Sequence, residues 1–312
     1  GKDAEGRPFY TMKRVRGQTL QAVINQLRRG DRTTLKEFSL DKLLTIFLKV
    51  CDAIALAHQR GIIHRDLKPE NIMVGEFGEV LVMDWGLAKF EHEHSHEVAR
   101  DVDTEFATRM GVLADEDAPA HDSGLTLDGA VMGTPQFMPP EQASGKISEI
   151  DARSDVFSLG AILYSILTLR PPFRGKTVRD ILIKARSGNI KPPTVFNRPA
   201  RLEGDVAGAQ EESSPRIQLA AGLSHCPGGR VPVALSAVTM RALEFKPANR
   251  YKTAAALSAD VTAYQGGFAT SVEQVGTLGL LWRLALRHRV ASALCVVMLA
   301  LTAVFGGQLV RS

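Results

Sequence analysis

The stretch GIIHRDLKPENIMVGEFGEVLVMDWG, residues 61–86, decides how this chain reads. Two short apolar pieces, Ile72 to Val74 and Val80 to Met83, flank Gly75 and Gly78 and predict a β-hairpin. Ahead of it, Ile62 to Asp66 runs into a polar loop holding Asp66, Lys68 and Asn71. Beyond it stands a second aspartate, Asp84, 13 residues after Asn71, and the hairpin would bring the two to one point. Moving outward, Asp41 to Gln59 sets Leu43, Phe47, Val50, Ile54 and Ala57 at helical spacing. Ser39 can cap its start, and Gly61 sits just past its end. Phe9 to Val15 (FYTMKRV) predicts a short strand before Gly17. Phe90 to Val131 is rich in Asp, Glu, His, Gly and Ala without a sustained apolar period, and predicts a long mobile loop.

Ser154 to Leu169 is apolar nearly all round, which predicts a helix buried in a core, stopped by Pro171 and Pro172. Thr177 to Ser187, Val233 to Leu243 and Thr253 to Tyr264 read as further helices, with Thr253 capping the last and Gly266 ending it. Asn197 to Arg230 is Pro-, Gly- and Ser-rich and reads as a loop or insertion.

Of 312 residues, 45% are apolar and 23% charged, which excludes a disordered chain, a collagen-like repeat and a disulfide-stapled miniprotein. A net charge of +4 gives no argument for nucleic-acid binding. Cys51, Cys226 and Cys295 lie far apart, without a CxxC pair, which argues against a disulfide framework or a zinc site. Val290 to Val310 holds 21 residues without a formal charge, about 30 Å as a helix, the thickness of a bilayer core. Trp282, Arg283, Arg287 and Arg289 precede it and only Arg311 follows, so the positive-inside rule places everything before it in the cytoplasm. A buried C-terminal helix is the plainer alternative.

His64-Arg65-Asp66-Leu67-Lys68-Pro69-Glu70-Asn71 matches the H-R-D-L-x-x-x-N loop of protein kinases, and Asp84-Trp85-Gly86 stands where D-F-G is expected. Gly133-Thr134-Pro135 and Pro139-Pro140-Glu141 resemble the end of an activation segment. Residues 151–160 (DARSDVFSLG) resemble the family's central helix, and Asn249-Arg250-Tyr251 its late arginine motif. With five motifs in order, the chain resembles a bacterial eukaryotic-type (Hanks-type) serine/threonine protein kinase with a membrane anchor. The resemblance implies a protein-kinase-like α+β fold: a mainly helical large lobe over 17–269, an activation segment at 84–141 with an insertion at about 91–131, a basic juxtamembrane segment at 270–289, and one transmembrane helix at 290–310.

Phosphoryl transfer needs an oriented hydroxyl, an in-line γ-phosphate and cations on its oxygens. Asp66 would aim the acceptor hydroxyl and take its proton, and Lys68 would reach the γ-phosphate of ATP. Asn71 and Asp84 are hard oxygen donors suited to Mg²⁺, with Mn²⁺ as an alternative. Met73 would floor the adenine, and Met12 and Val15 would line its far edge. Lys68 together with Thr134 implies a Ser/Thr acceptor. The family implies support roles for His64 beside Trp85 and Gly86, for a Glu141–Arg250 ion pair, and for Asp155 beneath the catalytic loop. Arg65 would receive a phosphate added in the loop, with Thr126 and then Ser123 as the acceptors. Each has a plainer alternative: a turn-capping carboxylate for Asp66 or Asp84, a solvated lysine for Lys68. His92, His94 and His96 alternate with acids, as a metal site or a solvated loop would.

Trp85 replaces the usual Phe and Pro139 the usual Ala or Ser; 58 residues from Asp84 to Glu141 exceed the family's usual length. No G-x-G-x-x-G and no V-A-I-K-like lysine occurs, so FYTMKRV reads as the last small-lobe strand and 1–16 as strand and hinge of a chain lacking most of its small lobe. The expected partners are ATP, protein substrates and the inner membrane, with a homodimer in the intact protein and no nucleic acid. A pseudokinase-like binding scaffold and a small-molecule phosphotransferase are the competing functions. Gly133 to Glu141, which docks peptides in protein kinases, speaks against the latter.

Overall fold

The computed structural model describes residues 16–90, 134–197, 223–273 and Met298. Strand β1 (Gln18–Thr19) leads straight into helix α1 (Leu20–Arg29), where Thr19 Oγ1 accepts from the Ala22 amide at 3.1 Å. Leu20, Val23, Ile24 and Leu27 form one buried face, and Gly30 ends the helix in the left-handed region at φ 77°. A short helix, α2 (Arg32–Glu37), follows under an Asp31 cap. Neither helix was expected from the sequence, although the i, i+3, i+4, i+7 apolar spacing between Thr19 and Gly30 announces the first.

Helix α3 (Leu40–Gln59) agrees with the predicted span and starts at Ser39, whose Oγ accepts from the Lys42 amide. It buries Leu43, Phe47, Val50 and Ile54 against the later helices. Strand β2 (Ile62–Ile63) comes next, and a single 3₁₀ turn (Pro69–Asn71) delivers the chain into β3 (Ile72–Val74) and β4 (Val80–Val82). The predicted hairpin is present, in the antiparallel register Ile72↔Val82, Met73↔Leu81, Val74↔Val80. β1 joins its other edge, giving the order β1–β3–β4. A side chain at Gly17, where φ is 127°, would overlap the Val74 carbonyl, so only glycine allows this approach.

Strand β5 (Lys89–Phe90) pairs antiparallel with β2. This corrects the expected loop, which was to begin at Phe90: backbone pairing to a strand 27 residues earlier holds that residue, and no local periodicity signals such a bond. After the one-turn helix α4 (Pro140–Ala143), helix α5 (Ala152–Thr168) runs through the core with every residue from Ser154 to Thr168 buried. The predicted all-round apolar helix is there. Its stop lies ahead of the prolines, at Leu169, which takes a left-handed φ of 57° and donates to the Ser165 carbonyl. A Cβ at Gly160 would sit 2.7 Å from Ala242 Cβ, so glycine sets how closely α5 meets α7 (Val233–Ala242). Helices α6 (Val178–Ser187) and α8 (Ala254–Gln265) complete the helical body; α6 opens on a Thr177–Asp180 capping box and α8 on Thr253.

Residues 1–15, 91–133, 198–222 and 274–312 other than Met298 lie outside the described residues. With them lie the Phe9–Val15 strand, Met12, Val15, the histidines of 91–97, Ser123, Thr126 and the expected membrane span at 290–310. Among the described residues no helix is long and apolar enough to cross a membrane.

Candidate active site

The polar loop after β2 is held from below by one carboxylate. Asp155, in the first turn of α5 and 1% exposed, accepts from the His64 amide at 2.8 Å and the Arg65 amide at 2.9 Å. His58 Nε2, from the last turn of α3, contacts the same carboxylate at 2.8 Å. Burial pushes this carboxyl up, but the hydrogen bond and charge of His58, with His64, outweigh it and hold it below the usual aspartate value. Two adjacent amides on one carboxylate stabilise a tight corner in which Arg65 has φ 69°, a costly conformation for a non-glycine residue. Gln142 Nε2 donates to the Arg65 carbonyl at 2.9 Å and closes the corner from α4.

His64 is fully buried against Trp85, with ring centroids 4.5 Å apart. One tautomer satisfies both of its nitrogens: Nε2–H donates to the Met83 carbonyl at 3.1 Å, and Nδ1 accepts from the Asp66 amide at 3.4 Å. Trp85 Nε1 donates to the Val82 carbonyl at 3.1 Å, so the indole satisfies its one donor while filling the core.

On this base the Asp66 side chain is fixed at both oxygens. Oδ1 accepts from the Thr134 amide at 3.1 Å, and Oδ2 from Lys68 Nζ at 2.6 Å. Lys68 Nζ also donates to Thr134 Oγ1 at 2.8 Å, tying the catalytic loop to the end of the segment 84–141. Asn71 Nδ2 donates to the Asp66 carbonyl at 2.9 Å, which leaves its Oδ1 without a protein partner among the described residues. The Asn71 carbonyl accepts from the Met83 amide at 2.8 Å, extending the hairpin ladder by one pair. Asp84 therefore follows directly on the residue paired with Asn71. It is exposed, takes φ 60°, and has no side-chain partner among the described residues. Gly86 is exposed beside it; a Cβ there would lie 3.5 Å from Asp84 Oδ1. Met73 is half-buried in the middle strand of the sheet, between Thr19 and Leu81.

Farther out, Glu141 and Arg250 form a buried fork-to-fork pair, Nη1–Oε1 at 2.7 Å and Nη2–Oε2 at 2.8 Å. Ser154 Oγ donates to Glu141, and the guanidinium also reaches the carbonyls of Glu244, Phe245 and Arg153. Arg65, half-buried, shows no hydrogen-bond or ion-pair partner for its guanidinium among the described residues, and burial holds its pKa down against the pull of Asp155. His58, Gln142 and Ser154 were not singled out from the sequence: their partners lie 97, 77 and 13 residues away, and no local pattern marks them.

The loop after β2 and the hairpin thus gather a fixed carboxylate, a lysine, an amide oxygen and a second carboxylate without a partner among the described residues. The protein kinase domain model matches residues 7–226, more than half of the chain. The chain belongs to the protein kinase family, an enzyme family. It is 38% identical over 176 residues to the serine/threonine-protein kinase PknD of Protochlamydia amoebophila, covering 55% of this chain and 16% of that protein. To the PknD proteins of Chlamydia abortus and Chlamydia caviae it is 32% and 30% identical over 262 residues, covering 83% of this chain and 23% of each. The chain thus spans less than a quarter of the length of these curated relatives.

Proposed function

We propose that the chain forms the large-lobe half of a serine/threonine protein kinase site that passes the γ-phosphate of ATP to protein hydroxyls. The observation that carries this is the double fixing of Asp66, by the Thr134 amide on one oxygen and Lys68 on the other, with Asn71 and Asp84 adjacent. A carboxylate restrained this way points in one direction and costs little to reorganise when an acceptor hydroxyl arrives. Asp66 then receives the hydrogen bond from that hydroxyl and aims its oxygen. Lys68 compensates charge beside it, and its bond to Thr134 Oγ1 supports a Ser/Thr rather than Tyr acceptor.

The residues present fit Mg²⁺. Asn71 Oδ1 and the exposed Asp84 carboxylate are the unengaged hard oxygens of the corner, and no three His, Cys, Asp or Glu side chains converge among the described residues. A cation held by one carboxylate and one amide completes its shell with water and phosphate oxygens, as Mg²⁺ prefers. When bound, Mg²⁺–ATP supplies the phosphoryl group and the neutralisation of its charge. Met73, half-buried in the middle strand, would floor the adenine. Arg65 is the receptor for a phosphate added in the loop, on Thr126 or Ser123.

In the same reading the uncharged segment 290–310 anchors the protein in the inner membrane with its kinase portion in the cytoplasm, supported by Arg283, Arg287 and Arg289 on one flank. The intact protein, incubated with γ-labelled ATP and Mg²⁺, is expected to label phosphoserine or phosphothreonine in a protein acceptor. Label confined to phosphotyrosine, or nucleotide binding without transfer, contradicts the proposal, the latter in favour of a scaffold. Carbonate extraction of membranes tests the anchor; release into the soluble fraction contradicts it.

A further inference from the structure

Helix α4 is four residues long, and three successive residues in it make a bond that leaves the helix. Glu141 closes on Arg250. The Ala143 carbonyl accepts from Arg186 Nε, on α6, at 2.7 Å. Between them Gln142, 6% exposed, reaches the catalytic loop, where its Nε2 donates to the Arg65 carbonyl at 2.9 Å. The two flanking bonds fasten α4 to the helical body, so the Gln142 amide is delivered from a rigid mount.

The Arg65 carbonyl belongs to the peptide that carries Asp66. A peptide is planar, so its carbonyl and its N–H point in opposite directions, and holding either one sets the tilt of the whole unit. At the N–H end the Asp66 amide meets His64 Nδ1 at 3.4 Å, a long bond and a weak one. The carbonyl end, at 2.9 Å, is the better held of the two, and Gln142 is the group that holds it. The plane on the far side of Asp66 is treated alike: its carbonyl accepts from Asn71 Nδ2 at 2.9 Å. Asp66 thus sits between two peptide planes, each restrained by a side-chain amide. The restraint matters more because Arg65 holds φ 69°, a conformation that persists only while its surroundings enforce it. Asp155 supports the amide of Arg65, and Gln142 supports its carbonyl.

We propose that Gln142 is a positioning residue for phosphoryl transfer, fixing the peptide plane from which the Asp66 carboxylate is aimed and so tying that aim to the seating of α4. This rests on the kinase reading above, in which Asp66 orients the acceptor hydroxyl. Gln142 acts through the backbone and needs no contact with the reacting groups. An error of about 1 Å in the placement of a catalytic group costs on the order of a hundredfold in rate. In that reading nucleotide and acceptor binding draw on other groups, so the loss falls on kcat.

The test compares the intact protein with Gln142→Met, which keeps the length of the side chain and removes the donor. Steady-state transfer from ATP to a Ser/Thr peptide is expected to lose about ten- to a hundredfold in kcat, with both KM values within about twofold of the wild type. Gln142→Glu sets a carboxylate oxygen against the Arg65 carbonyl and should lose more. Gln142→Asn, one methylene too short to reach, repeats the test with the polar group kept, in case the thioether disturbs the core. Assays run well below each variant's melting midpoint, so that only folded protein is compared. In an Asp66→Asn background Gln142→Met should cost no more than about threefold, because the group it aims is already gone. A wild-type kcat in Gln142→Met overturns the proposal. So does a raised KM at unchanged kcat, which makes Gln142 a binding residue, or a loss that multiplies in full on Asp66→Asn, which makes it a general brace of the fold. If the wild type transfers no phosphate, the kinase reading falls and hydrogen exchange still decides the role of Gln142. Faster exchange of the Arg65 and Asp66 amides in Gln142→Met upholds it as the holder of this plane, and unchanged exchange overturns it.

Discussion

Two assemblies of charge differ in how they are finished. The Glu141–Arg250 pair is closed: both ions are buried, every oxygen and most guanidinium hydrogens are engaged, and the partners include three backbone carbonyls and Ser154. The Asp66 corner is open: its groups are oriented by neighbours, but Asn71 Oδ1 and the Asp84 carboxylate remain without protein partners among the described residues. The first arrangement fastens the end of the segment 84–141 to the helical body. On the proposed reading, the second holds functional groups in readiness. The difference teaches where substitutions should damage folding and where they should damage chemistry alone.

The largest stability loss is expected from Glu141→Gln, which leaves a buried guanidinium without its counter-charge and costs about 3–5 kcal/mol. Denaturant titration checks it, and the double variant Glu141→Leu with Arg250→Met should recover most of the loss. A near-normal midpoint for Glu141→Gln would erase the contrast between the two assemblies.

Asp155→Asn sharpens the comparison, because this residue is buried like the first assembly yet positions the loop of the second. It keeps one acceptor for two amides and loses the charge, an expected cost of about 2–3 kcal/mol together with slower transfer. Its pH dependence has a definite sign. The folded carboxyl lies below its ordinary value of 3.8, so its stabilisation is complete above that value and is lost as pH falls through the folded one. Acid unfolding of the wild type below about pH 4 should therefore flatten in Asp155→Asn. An unchanged acid limb would assign that loss to other carboxylates.

The smallest effect is expected at Thr19→Ala, which removes the cap of α1 and costs about 0.5–2 kcal/mol without altering transfer. A change in kcat there would mean that α1 does more than pack beside the catalytic loop.

Much of this was legible in the chain. The apolar period of α3, the all-round apolar α5 and the Gly-flanked hairpin are local patterns, and the motif around Asp66 is contiguous. What escaped was non-local or short. Strand β5 exists only because Ile62–Ile63 offers it a ladder, and His58 meets Asp155 across 97 residues. Helix α1 is the exception: Leu20, Val23, Ile24 and Leu27 carry a plain helical period between a cap and a glycine.

The central claim is that Asp66 orients the acceptor and does not hold up the fold. It is tested most directly by measuring kcat and the melting midpoint of Asp66→Asn in the intact protein. Transfer should fall by about a hundred- to ten-thousand-fold while the midpoint stays close to that of the wild type. Undiminished transfer, or inactivity that follows from a collapsed midpoint, would contradict it.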